Sequence, residues 1–303
     1  MINNRSFFSS LNNSGVNFYS GVPDSLLKDI CAFITDNTSS ENHIISANEG
    51  NAISIGIGHH LATNKIPLIY MQNSGLGNAI NPLLSLADSD VYSIPMILLI
   101  GWRGEPGITD EPQHKKQGKV TLDLLDTMKI PYEVLSSNTS SEEADRVIKN
   151  TVKLATTLNL PCALLVKKGT FESYKLKLNK PYERVLFREE AIEIIINELN
   201  EDDVVVSTTG VASRELFEYR ENKSQSHEKD FLTVGGMGHA SQIALGISIF
   251  KKNRTVFCID GDGAIIMHMG GLAINANNAT GNFKHIVMNN SAHDSVGGQP
   301  TVG

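Results

Sequence analysis

Short, unbroken apolar runs alternate along this chain with stretches whose apolar residues recur at helical spacing. "HIISAN" reads as a strand running into the helix "EGNAISIGIGHHLAT". "IPLIYMQ" is an apolar strand ending at "NSGLGNAINPLLSLA", a glycine-rich turn and then a helix. "GVNFYSGVP", "IPMILLIG", "IPYEVLS" and "PCALLVKKG" read as further strands. "SLLKDICAFITDN" and "SEEADRVIKNTVKLATTLN" read as helices, the second opened by the capping pattern Ser140-Ser141-Glu142-Glu143. From about Phe171 to Phe187 the periodicity stops and Lys and Pro enter, which predicts a linker. The alternation then restarts, with helices at "REEAIEIIINELN", "ASRELFEYR" and "HASQIALGISIFKK". Strands fall at "DVVVSTTG", "FLTVGGMG", "TVFCIDGDG" and "FKHIVMNN". Wholly apolar strands alternating with helices predict parallel sheets covered on both faces. Two such units joined by a linker make two doubly wound α/β domains, with boundaries at 1–175, 176–187 (linker) and 188–303.

Composition narrows the partners. A chain of 303 residues suits two cores better than one. The net charge of -7 argues against general nucleic-acid binding while leaving room for a local cationic pocket. No run reaches membrane-spanning length, "IPMILLIGW" being too short, and "MINNRSFFSS" has no apolar signal core. Cys31, Cys162 and Cys258 are far apart and odd in number. They fit no metal spacing or disulfide framework and read as small core residues of a cytoplasmic protein.

The chemistry concentrates after two strands. "TVFCID" ends at Gly261-Asp262-Gly263, and "HIVM" ends at Asn289-Asn290. Ligands in open α/β sheets bind past the C-terminal ends of strands. The residues between the two clusters suffice for one helical crossover, which would set the clusters side by side. Carboxylate and amide oxygens suit Mg²⁺ or Ca²⁺, and glycines let the backbone approach a phosphate. Asp262 with Asn290 therefore reads as a site for a metal–diphosphate. Taken singly, "DG" is a turn and "NN" the start of a loop; their register is what favours a site.

The Gly-Asp-Gly, spacer and Asn-Asn pattern resembles the thiamine-diphosphate signature of the decarboxylase and acetolactate-synthase group. The resemblance implies thiamine diphosphate and Mg²⁺, the metal held by Asp262, the Asn290 side chain and the Ala292 carbonyl. Gly261, Gly263 and Asn289 would adjoin the cofactor. It also implies that Glu49, in "ANEGNA", hydrogen-bonds the aminopyrimidine ring and favours its imino tautomer. By itself Glu49 reads as a helix N-terminal acid. "GGMGH" resembles the segment that bends the cofactor, with Gly236, Met237 and Gly238 against it and Met237 as the wedge; a core methionine is the plain alternative. Thr208 and Gly210, in "STTGVASREL", would lie near the diphosphate or pyrimidine.

"GVPDSLLKDI", "QNSGLGNAINPL", "GWRGEPG", "DEPQHKKQGK" and "AHDSVGGQPT" are similar to the phosphonopyruvate and sulfopyruvate decarboxylase family. That implies a pyrimidine-binding domain followed directly by a diphosphate-binding domain. Ser291 stands where the family pattern has glycine. The chain stops soon after the Asn pair, so the second domain is expected to be incomplete at its C-terminal end. The implied reaction is decarboxylation of a three-carbon 2-keto acid with a second anionic group, 3-phosphonopyruvate first and sulfopyruvate as the alternative. An acetolactate-synthase-like carboligase and a non-catalytic diphosphate-binding paralogue are weaker readings. For the anionic substrate, "WRGEPGITDEPQHKKQGK" offers Arg103, His114, Lys115, Lys116 and Lys119 in what reads as one glycine-rich loop. Lys115 and Lys116 are the first to be read as merely solvated. Asp24, and His293 with Asp294, are candidates for substrate contact and proton handling, Asp24 also being a natural Asx-turn residue. The resemblance implies self-association, with the cofactor between the first domain of one subunit and the second domain of another.

Overall fold

A computed structural model describes residues 1–177 and 186–303. It divides into two compact units, Met1–Asn179 with Val296–Gln299 and Lys180–Ser295 with Pro300–Gly303. Most of the expected linker, residues 178–185, lies outside the described residues.

In the first unit the elements are α1 (Asn4–Asn13), β1 (Tyr19–Gly21), α2 (Lys28–Asn37), β2 (His43–Ile45), α3 (Glu49–Thr63), β3 (Leu68–Gln72) and α4 (Leu76–Pro82). They continue with β4 (Met96–Gly101), α5 (Pro112–Thr127), β5 (Tyr132–Leu135), α6 (Ser141–Leu158) and β6 (Pro161–Val166). The strands form one parallel sheet in the order β2-β1-β3-β4-β6-β5. β4 and β6 are buried at every position, which is why "MILLIG" and "PCALLV" carry no polar alternation. Period-2 geometry still sorts their side chains. Ile97 and Leu99 join a cluster with Phe7, Ile30, Ile34 and Ile148 from α1, α2 and α6. Met96, Leu98 and Ile100 face Ile53, Ala79 and Leu125 from α3, α4 and α5. The sheet is therefore doubly wound, as expected.

Two local expectations need correction. The basic "loop" divides at Pro112: residues 103–111 are irregular, but α5 begins at Pro112 and carries His114, Lys115, Lys116 and Lys119. Proline suits the first helical turn, and "KVTLDLLDT" supplies the inward-facing Thr121 and Leu125. Lys115, Lys116 and Lys119 are exposed. At the N-terminus, α1 was not foreseen; it is held by Asn3, whose side chain accepts the Ser6 N–H, and by buried Phe7 and Leu11.

The second unit contains α7 (Arg188–Asn197), β7 (Val204–Ser207), α8 (Val211–Asn222), β8 (Asp230–Leu232), α9 (Ala240–Phe250) and β9 (Val256–Gly261). After β9 come α10 (Asp262–Met267), α11 (Gly270–Asn278) and β10 (Phe283–Met288). Its parallel sheet runs β10-β9-β7-β8. Ile192, Ile196 and Leu216 pack on one face, and Ala240 and Ala244 on the other. The crossover between β9 and β10 is two short helices rather than the expected one. Cys31, Cys162 and Cys258 are unpaired and buried. No helix among the described residues is long and apolar enough to cross a membrane.

Candidate active site

In the second unit, the residues singled out from sequence lie at or after the C-terminal ends of neighbouring strands. β9 and β10 pair in parallel with Gly261 opposite Met288, so Asp262 and Asn289 leave adjacent strands at the same level. Asp262 is buried and opens α10. Its carboxylate accepts the Thr301 hydroxyl, whose backbone N–H in turn donates to Ser291 O at 3.0 Å. The His293 ring lies against Gly263, where an added Cβ would come within 3.0 Å of His293 Cε1. Burial lowers the His293 pKa, and Asp262 partly opposes that shift. The Asn290 carboxamide accepts the Ala292 N–H at 3.1 Å through Oδ1 and donates to Asp294 at 2.7 Å through Nδ2. Ser291, at φ 55°, takes the left-handed conformation for which glycine is better suited.

Thr208 follows β7, with its backbone N–H on Ile259 O, and Gly210 caps α8 at φ 96°. After β8, Gly236 and Gly238 have φ of 66° and 88°. A Cβ on Gly238 would press on His268, the Ala264 carbonyl and Met267. Met237 is half-buried and belongs to none of the unit's hydrophobic clusters. Neighbouring Asp260 was not foreseen. It accepts the Gly261 N–H at 3.0 Å, and its other oxygen meets His285 at 3.3 Å, so it shapes the Gly-Asp-Gly turn.

The donor set can be tested against a metal–diphosphate. Asp262 and the Asn290 oxygen are hard ligands suited to Mg²⁺. The α8 N-terminus and the glycine turns present backbone to an anion. Thr208 Oγ1 and His293 Nε2 are buried with no hydrogen-bond partner among the described residues. Buried polar atoms without partners are uncommon in folded proteins and suit a polar ligand. The residues fit.

The first unit shows the same logic. Along its sheet edge, in spatial order, Glu49 follows β2, Asp24 follows β1, Asn73–Gly75 follow β3 and Arg103 follows β4. Glu49 is the first residue of α3, whose N-cap Asn48 accepts the Asn51 N–H. It is 5% exposed, its Oε2 accepts from Asn78 Nδ2 at 2.7 Å, and Gly75 packs so close that a Cβ there would overlap the carboxyl. Burial raises the Glu49 pKa against the bond from Asn78. Asp24 is 1% exposed. Its Oδ2 accepts the Leu26 and Leu27 N–H groups, while its Oδ1 has no hydrogen-bond partner among the described residues. Burial pushes its pKa up to about 6, with those backbone N–H groups and Arg103 pulling the other way.

Arg103 is less free than its sequence context suggests. Asp110 holds it as a fork, Nε to Oδ2 at 2.8 Å and Nη2 to Oδ1, and Nη1 donates to Ser25 at 2.7 Å. Asp110 also accepts the Gly104 and Glu111 N–H groups. The Arg103 bond holds the Asp110 carboxyl well below the usual carboxylate range. A guanidinium has five N–H donors, so two remain. Arg103 also lines a cavity of about 230 Å³ with Ser25, Leu26, Trp102, Asp110 and Lys168. His114, half-buried on α5, has its pKa lowered by burial and then by Arg103. Asp110, Asn78 and Thr301 carried no signal in sequence beyond lying in the strings of family resemblance.

The chain is similar to known proteins along most of its length. The model described as "Thiamine pyrophosphate enzyme, N-terminal TPP binding domain" matches residues 4–127, and its C-terminal counterpart matches residues 208–303. The phosphonopyruvate decarboxylase of Streptomyces viridochromogenes is 32% identical over an alignment covering 100% of this chain and 77% of that protein. That of Streptomyces hygroscopicus is 31% identical, covering 100% and 76%. The sulfopyruvate decarboxylase of Methanosarcina acetivorans is 26% identical, covering 95% and 76%. The chain belongs to the thiamine pyrophosphate enzyme family and, alongside these relatives, is a thiamine-diphosphate-dependent decarboxylase.

Proposed function

We propose that the chain decarboxylates 3-phosphonopyruvate to phosphonoacetaldehyde and CO₂ with Mg²⁺ as the metal. The observation that carries the reading is the meeting of Asp262 and the Asn289-Asn290 pair at the ends of two paired strands, in a chain whose relatives at 31–32% identity are phosphonopyruvate decarboxylases. The second unit is the diphosphate-binding domain. Asp262, Asn290 and the Ala292 carbonyl would hold the metal; Thr208, Gly210, Gly236, Gly238, Gly261, Gly263 and Asn289 would surround the diphosphate; Met237 would pack against the cofactor. The first unit is the pyrimidine-binding domain. Glu49 would hold a proton at its buried carboxyl, whose pKa burial raises, for the aminopyrimidine.

When bound, thiamine diphosphate supplies the electron sink for the pair left behind by departing CO₂. The protein's task is to bind the keto acid, shed water from its carboxylate and return a proton. The two remaining N–H donors of Arg103 suit the phosphonate. Asp24, with a pKa near 6 and an unpartnered oxygen, can carry a proton close to neutral pH. His114 and His293 are further candidates for substrate contact. Self-association would set Glu49 of one copy against the pyrimidine end of the cofactor held by the second unit of another, and the unpaired thiols suit the cytoplasm.

3-Sulfopyruvate is the second reading, on the strength of the 26% identical relative. Measuring kcat/KM for both substrates side by side separates them. We expect phosphonopyruvate to lead by about tenfold or more, a difference of about 1.4 kcal/mol in transition-state binding. Equal values or a sulfopyruvate lead would reject the assignment.

A further inference from the structure

Asn290 lies at the end of a chain of polar contacts that reaches two helices. Its Nδ2 donates to Asp294 Oδ2 at 2.7 Å. The same oxygen accepts from Arg188 Nη1 at 3.0 Å. The other edge of Arg188 grips Glu215, Nε to Oε2 at 2.6 Å and Nη2 to Oε1 at 3.0 Å. Arg188 opens α7 and Glu215 lies on α8, so the guanidinium is fixed by regular structure before it meets Asp294.

We propose that Arg188 and Asp294 are positioning residues that fix Asn290 as a metal ligand. A carboxamide has two ends of nearly equal shape, and only its oxygen can bind a hard cation. An ionised carboxylate only accepts hydrogen bonds, so Asp294 selects the NH₂ end of Asn290 and turns the oxygen away from itself. That oxygen takes the Ala292 N–H with one lone pair and keeps a second for the metal. Arg188 holds Asp294 in place. Without the pair, the amide is free to rotate and its oxygen is presented only part of the time. Both side chains are partly exposed, 24% for Arg188 and 35% for Asp294. Such a pair adds little to folding, so its effect falls on the site. Asp294, a proton-handling candidate from sequence, thus becomes a support for Asn290. The inference rests on the metal reading proposed above.

The test is Mn²⁺ affinity of the full chain with saturating thiamine diphosphate, read from the paramagnetic resonance signal of free Mn²⁺. Asp294→Ala and Arg188→Met should each bind Mn²⁺ about 10–100-fold more weakly, the usual cost of losing an outer partner of a metal ligand. Their metal-free melting temperatures should stay close to that of the parent. Arg188→Lys, which keeps the charge without the fork, should recover part of the loss. Asp262→Ala is the control and should abolish binding. If it does so while Asp294→Ala and Arg188→Met keep parental affinity, the positioning role is overturned, and a lower melting temperature alone would not rescue it. If Asp262→Ala binds Mn²⁺ as the parent does, the metal site itself is wrong and the inference falls with it. Should Asp294→Ala fail to fold, Arg188→Met carries the same decision.

Discussion

Asp24 is the residue whose behaviour departs most from what its type suggests. In "GVPDS" it reads as a turn former, and it does accept two backbone N–H groups. Yet its carboxyl is almost wholly buried, and one oxygen is unpartnered. A carboxyl raised from 3.8 to about 6 on folding stabilises the protein fully only below pH ~4, and that contribution is lost as pH rises through 6. Asp24→Asn should therefore gain stability over the parent above pH 6, by up to about 3 kcal/mol, and lose that gain near pH 4. Denaturant unfolding at the two pH values decides it, and a difference independent of pH would contradict the burial argument. Glu49 shifts in the same direction for the same reason. Neither shift is legible in sequence, because desolvation depends on what packs around the carboxyl.

The strand end is the element that makes both units work. β4 illustrates how tightly it is built. Its last residue, Gly101, lies so close to Asp24 that a Cβ would stand 2.1 Å from Oδ2. Gly101→Ala should cost about 1–3 kcal/mol as the Asp24 turn is displaced, the scale of overpacking in a tight core. Urea unfolding would show it as a lowered midpoint, and an unchanged midpoint would mean that the turn relaxes freely. Strands and helices were largely legible from the periodicity of apolar residues, since β4 and β6 are continuous apolar runs and β3 and β9 open as apolar runs before a polar end. α5 reads as loop in sequence because glycines and basic residues precede "KVTLDLLDT"; in the fold it starts at Pro112, and its Gly118 packs against the Gly104 backbone. α1 was missed because ten mostly polar residues bury little more than Phe7 and Leu11.

At the scale of the whole molecule, each unit is a sheet with a polar C-terminal edge, and the proposed chemistry needs groups from both kinds of unit. If the cofactor is shared between copies, two inactive variants should complement each other. Glu49→Ala and Asp262→Ala mixed in equal amounts and allowed to exchange should regain about a quarter of parental activity for a dimer with two shared sites. No recovery after verified exchange would show that each chain builds its site alone.

The sequence by itself determined the class of fold and where polar groups gather: alternating apolar runs dictate parallel sheets, and Gly-Asp-Gly and Asn-Asn fall at strand ends. It determined this much because periodicity and strand-end placement are local properties. The tertiary structure alone decided which groups are available. It tied Arg103 to Asp110, left Asp24 with an unpartnered oxygen, set Thr301 on Asp262, and linked Asn290 through Asp294 to Arg188. Asn290 and Arg188 stand about a hundred residues apart in sequence, and nothing in either segment names the other. Hydrogen bonds and desolvation act over a few ångströms of space, and only folding decides which residues share that space.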